Sequence, residues 1–315
     1  MNRFYTAPSS TTLCLVRSAA LVVFMLLVLV APKVGHVSQI LTMQDGPASI
    51  RFDESQDPAA AEVLRLFPRV QSDLQRLIPW PVDFHPTLVL IKEGALERMT
   101  GTGLVVALAI PERNLVLLDL SRMARHAFVL ETTMKHELCH LLLHRHIRND
   151  LLPKWLDEGV CQWASNGMAE IIMDRKISFL EEAVLAGRLL AFPDLASQFP
   201  GDERGLILAY EQSRSIVSYM SEVYGNEKLL LVLNQLRDDK TLSEAVRAGL
   251  GVTFAELESG WKNSLKREHT WLTYVSVHIY EILFFVAALL TIVGSVKLIV
   301  RRKRRRTEED EADSP

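Results

Sequence analysis

The chain has 315 residues, 49% of them apolar and 23% charged, with a formal net charge of −3. Its one dense basic run, residues 301–306, directly follows an apolar span, which excludes a nucleic-acid footprint and points to a membrane surface. Three cysteines exclude a disulfide framework, and the apolar excess sits at the two ends, leaving about 230 residues between them for one large domain or two packed lobes.

In chain order, Arg3 and Arg17 lead into an apolar stretch at 19–31, whose length suits a signal-peptide core. Leu29-Val30-Ala31 is a poor cleavage site, so residues 1–39 read either as a signal peptide or as a short uncleaved anchor. Either reading exports the middle of the chain. Cys14 precedes the apolar run and reads as an inert apolar residue.

A short strand is expected at 48–52, then an amphipathic helix over 58–78, with Asp57 as its N-cap and Pro58 first in the helix. Pro79-Trp80-Pro81 stops it, and 87–91 reads as a buried strand. Two apolar runs, 104–110 and 115–118, form a hairpin around Pro111-Glu112-Arg113-Asn114. From 126 the period becomes helical, over 126–146, 154–166, 170–187, 205–224, 226–237 and 254–266. A mixed α/β lobe (40–125) thus precedes a helical lobe (126–270), an α+β arrangement.

Residues 279–300 are apolar enough and long enough to cross a hydrocarbon layer of about 30 Å as a helix. Trp271, Tyr274 and Tyr280 stand on one side and Arg301-Arg302-Lys303-Arg304-Arg305-Arg306 on the other. The positive-inside bias puts the 301–315 tail in the cytoplasm and the preceding domain outside the cell membrane. The acidic stretch 308–313 is expected to be solvated and without fixed structure.

The chemistry lies in His136-Glu137-Leu138-Cys139-His140. Histidines at i and i+4 project about 40° apart around a helix, so both imidazoles can reach one ion. Zinc takes neutral imidazoles in tetrahedral geometry and in a catalytic site keeps one position for water; the intervening Glu137 is placed to take that water's proton. A third ligand is expected on the next helix, and Pro153-Lys154-Trp155-Leu156-Asp157-Glu158-Gly159 supplies Glu158, 18 positions after His140. His144, a further turn along, is expected to be a surface or outer residue, His85, His126 and His146 ordinary histidines, and Asp157, about 100° around the axis from Glu158, a solvated or N-terminal-turn carboxylate.

This pair of elements resembles the gluzincin metallopeptidases, whose helix-borne His-Glu-x-x-His precedes a Trp-Leu-x-Glu-Gly element bearing a glutamate ligand. The likeness extends over Ala209-Tyr210-Glu211-Gln212-Ser213 and Tyr224-Gly225 to Trp261. It implies a thermolysin-like fold with a small sheet over the active-site helix and one Zn²⁺ per chain. His136, His140 and Glu158 would hold the metal, Glu137 would be the catalytic base, and Tyr210 would be the candidate donor to the oxyanion, with Tyr219 and Tyr224 as competitors. The implied partners are a peptide or protein substrate and the lipid bilayer, with no nucleic acid.

Segment 104–109 reads as an edge against which a substrate strand can add. Aminopeptidases among the gluzincins carry a carboxylate beside that strand to hold a substrate's α-ammonium, and this segment has none before Glu112, so the resemblance implies internal cleavage. Cys139 and Cys161 each follow a metal-site residue by one turn. They are expected to meet across the helix contact, as a disulfide or as two buried thiols. A different class of reading stays open: a membrane-tethered binding or scaffold module that keeps a protease fold and cleaves nothing.

Overall fold

The computed structural model describes residues 40–123, 130–167, 178–268 and 278–312. The N-terminal segment with Cys14, residues 126–129 and 170–177 of two expected helices, and Trp271 and Tyr274 lie outside the described residues.

Strand β1 (Ile40–Asp45) was not anticipated, because only Leu41 and Met43 turn towards the core, too short a period-2 signal to read. Across Gly46, whose φ is +61°, the chain turns into β2 (Ala48–Asp53). Ala48, Ile50 and Phe52 point inward from β2, as the alternation of a half-buried strand requires. The expected N-cap is displaced. A 3₁₀ turn at Glu54–Gln56 precedes α1 (Asp57–Leu77), and Asp53 caps that turn, accepting from the Ser55 backbone N–H at 3.2 Å while Gln56 reaches back to the Asp53 N–H. Asp57 is instead the first helical residue.

Helix α1 is the crossover that lets β2 and β3 (Thr87–Leu90) run parallel, with Ile50 opposite Leu88. After the short α2 (Ala95–Thr100) come β4 (Ala107–Ile110) and β5 (Leu115–Leu118), an antiparallel hairpin turned at Asn114 in the left-handed region (φ 47°). β5 pairs parallel with β3, giving the order β1-β2-β3-β5-β4. β4 is therefore a sheet edge, as the sequence suggested, though shorter at its start. α3 (Leu120–Met123) leads out of the sheet.

The helical part comprises α4 (Leu130–His146), α5 (Lys154–Ser165), α6 (Phe179–Ala186), α7 (Phe192–Ser197), α8 (Glu203–Tyr224), α9 (Asn226–Arg237), α10 (Leu242–Leu250) and α11 (Phe254–Glu268). Of these, α7 and α10 were not expected. α12 (Ile279–Ala312) carries the apolar stretch Ile279–Leu298, exposed along its length. It continues through the basic run to Ala312, so 308–312 is helical rather than unstructured; Arg, Lys, Glu and Ala all rank high in helix propensity.

One continuous core joins sheet and helices, from Ala48 to Leu265. The inner sheet face (Ile50, Leu88, Leu90, Val116, Leu118) packs with Phe67 and Leu74 of α1 and with Leu138, Leu141 and Leu142 of α4. Buried residues surround α4 on every side, the mark of a helix enclosed by protein. α5 is anchored by Trp155, whose ring meets Phe192 of α7 edge-on at 5.3 Å, while Phe192 meets Trp261 of α11 at 5.6 Å. Just beyond Glu158, α5 crosses α8 so closely that a Cβ on Gly159 would stand 2.4 Å from the Ser213 carbonyl oxygen and 2.6 Å from Val217. Only glycine fits that crossing.

Gly159→Ala should therefore lower stability despite alanine's better helix propensity. The propensity gain is about 1 kcal/mol, whereas overpacking against backbone costs about 1–3 kcal/mol. Denaturant unfolding is expected to show a lower midpoint, and an unchanged or higher midpoint would mean that α5 and α8 can separate freely.

Candidate metal centre

Enclosure of α4 puts three polar side chains where water does not reach. His136 and Glu137 are fully buried and His140 is nearly so. Glu158 enters from α5, because Trp155 and Gly159 hold that helix against the core. The atoms that converge are His136 Nε2, His140 Nε2 and Glu158 Oε2, separated by 3.1 Å (His–His), 3.7 Å (His136–Glu158) and 3.4 Å (His140–Glu158).

These distances test whether a metal fits. Ligands at ~2.0–2.1 Å from a tetrahedral zinc stand ~3.3–3.4 Å from one another. The three observed separations bracket that value. Glu158 Oε2 is buried and has no hydrogen-bond partner, which would be costly if nothing were meant to bind it. The donor set and its spacing fit Zn²⁺.

Asp157 lies in the first turn of α5, as one of its two expected readings had it, but it is not solvated. It is buried, and its Oδ1 lies 2.8 Å from His140 Nδ1, while Oδ2 lies 3.1 Å from His144 Nε2. The physical reason is the close crossing of α4 and α5. Consecutive residues 157 and 158 diverge around α5 and grip opposite sides of one imidazole. Helical phase alone could not reveal this, because it places residues on a helix face without saying where the neighbouring helix lies. His144, as expected, is an outer residue; its Nδ1 lies 2.6 Å from Asn149 Oδ1.

His140, His144 and Asp157 also cluster tightly enough to hold a cation. If His140 binds metal through Nε2, however, its neutral ring must carry the proton on Nδ1 and donate it to Asp157. The cluster is then an orienting chain and not a second metal site. His146 is structural, with Nε2 2.8 Å from the Pro81 carbonyl.

Burial opposes charge throughout, and the neighbours overcome it. On Glu158, burial is outweighed by Lys154 and the two histidines, which hold the carboxyl well below the usual range. On Asp157, His140 and His144 do the same. On His140, burial is outweighed by Asp157 and Glu158, which raise its pKa well above the ordinary imidazole value. A metal must displace that proton, so its binding weakens as pH falls.

Tyr210, on α8, places its hydroxyl 3.3 Å from Glu158 Oε1, and its ring meets Phe199 at 5.2 Å. Tyr219 and Tyr224 meet edge-on at 6.1 Å, and neither lines the cleft. The cleft encloses about 660 Å³; β4 residues Leu108 and Ala109 line one side, Phe199 and Leu206 the other, with Glu137, His140, Glu158 and Tyr210 also in its wall. Cys139 and Cys161 are free, fully buried thiols. Burial first, and then the adjoining Cys139, push the Cys161 thiol up, and neither sulfur belongs to the ligand cluster.

Compared with known proteins, residues 105–267 match the family model described as Peptidase MA superfamily, just over half of the chain. No curated protein matches the chain.

Asp157→Asn should leave the helical content unchanged and weaken zinc binding by about 10–100-fold, the usual effect of losing a ligand's carboxylate partner. Chelator competition reads the affinity; an unaltered dissociation constant would return Asp157 to a purely structural role.

Proposed function

The chain belongs to the Peptidase MA superfamily, and we propose that it is a membrane-anchored zinc metallopeptidase of thermolysin-like fold, with His136, His140 and Glu158 as ligands and Glu137 as general base. The observation that carries this reading is the convergence of three buried ligand atoms, 3.1–3.7 Å apart, two of them on residues that line a cleft bordered by an edge strand.

Bound zinc would supply Lewis acidity, lowering the pKa of a water and polarising the scissile carbonyl. The chain's residues do the rest. β4 offers free edge groups to an extended peptide, which aligns it along the cleft by strand addition. Glu137, beside His136 on α4, takes the proton of the attacking water and hands it to the leaving amine. Tyr210 turns its hydroxyl from Glu158 towards the negative charge developing on the carbonyl oxygen, a contribution typically of about 10²–10³ in rate. Asp157 keeps His140 in the tautomer that frees Nε2. Cleavage is internal, because β4 itself carries no carboxylate to hold an α-ammonium, and Glu112, which borders the cleft, is exposed in the turn that follows the strand.

The stretch Ile279–Leu298 anchors the enzyme in the cell membrane, with the catalytic domain outside and the basic end of α12 in the cytoplasm. Substrates are then peptides or proteins on the extracytoplasmic side.

Full-length protein in detergent should cut end-blocked peptides and contain about one zinc per chain. Glu137→Gln should keep the zinc and lose turnover by at least about 10²-fold, the lower range for a general base, while Glu158→Ala should lose the zinc. Zinc without Glu137-dependent cleavage would favour a non-hydrolytic binding module. In intact spheroplasts, added protease should digest the catalytic domain and spare a tag placed after Pro315; the reverse pattern would overturn the topology.

A further inference from the structure

Glu137, Asp157 and Glu158 bring three buried carboxyl groups to the cleft, and Lys154 is the one lysine or arginine among the described residues that line it. Lys154 is the first residue of α5. A helix N-terminus already presents partial positive charge, so a lysine there is electrostatically out of place. A local rule broken next to a functional site calls for a compensating gain. The gain is in the geometry: Lys154 Nζ lies 2.9 Å from Glu158 Oε1, one turn along, and 5.1 Å from the centroid of the Phe199 ring. Phe199 meets Tyr210 edge-on at 5.2 Å, and the Tyr210 hydroxyl donates to the same Oε1 at 3.3 Å. Lys154, Phe199 and Tyr210 thus close a ring through one carboxylate oxygen of Glu158.

The other oxygen, Oε2, is the one without a hydrogen-bond partner, and it faces His136 and His140. The two oxygens of Glu158 are therefore assigned different work. A carboxylate beside a metal can coordinate through one oxygen or both, and the second would add a fifth ligand that crowds the position a catalytic site keeps for water. Tyr210 cannot guard Oε1 throughout, since its hydroxyl has to leave Glu158 to reach a substrate.

We propose that Lys154 is a positioning residue of the metal centre: it occupies Glu158 Oε1 so that Glu158 binds zinc through Oε2 alone, and it keeps doing so when Tyr210 turns away. Phe199 holds the ammonium in place through the face of its ring. This inference rests on the zinc reading above.

The test uses full-length protein in detergent, loaded with cobalt(II), whose visible absorption is intense in four-coordinate sites and weak in five-coordinate ones. Lys154→Met keeps the stem over Phe199 and removes the donor; its visible band should lose about half its intensity or more as the coordination number rises. Lys154→Arg should restore the wild-type spectrum, and Lys154→Gln, a neutral donor, should fall between the two. Wild-type spectra in both the Met and Gln variants would overturn the role of Lys154 while leaving the metal site intact. A wild-type protein that takes up neither cobalt nor zinc would overturn the metal reading, and this proposal with it.

Discussion

Everything at the site depends on how closely α4 and α5 cross. Two imidazoles on one helix must meet a carboxylate on the other at 3.4–3.7 Å, with all three side chains buried or nearly so. An uncompensated buried charge costs several kcal/mol, so the crossing is acceptable only if cations balance the carboxylates. Lys154 and the histidines supply part of that balance, and on the proposed reading a divalent ion would complete it, taking the place of the His140 proton. The apolar framework is arranged around this demand. Trp155 pins the start of α5 in an aromatic cluster, Gly159 lets its middle touch α8, and the close-packed thiols of Cys139 and Cys161 occupy the helix contact without bridging it.

The same crossing explains what could and could not be read from the sequence. His136, His140 and Glu158 were legible because they recur at fixed spacing on helices whose apolar neighbours announce burial. Glu158 required only that the next helix return to the first. The first-turn place of Asp157 was legible and its contact with His140 was not, since that contact depends on the interhelical approach and not on its own phase. Lys154 went unremarked for the same reason; its partner Phe199 lies beyond α7, a short helix with too few periodic residues to be anticipated. Among the elements, the long periodic helices were found nearly to the residue, as for Asn226–Arg237. β1 and the short α2 and α10 were not, because elements of six to nine residues carry little periodicity.

The cleft joins this site to the rest of the fold. The sheet reaches α4 through β4, the strand left at the sheet edge by the parallel arrangement of β2, β3 and β5. Edge strands are a liability unless they are covered or used. Here the edge borders the site where an extended chain would have to lie, which gives it a use. The apolar, exposed length Ile279–Leu298 of α12 is long enough to cross a bilayer, and the proposed anchoring would keep the cleft in the neighbourhood of a membrane surface.

The central claim is that a histidine–histidine–carboxylate set holds zinc between α4 and α5. X-ray absorption on the zinc-loaded, full-length protein tests it most directly, because nitrogen or oxygen and sulfur scatter at resolvable distances. The account predicts a first shell of nitrogen and oxygen alone at ~2.0–2.1 Å, with the multiple scattering of two imidazoles. A sulfur shell at ~2.3 Å would contradict it, placing Cys139 or Cys161 on the metal instead.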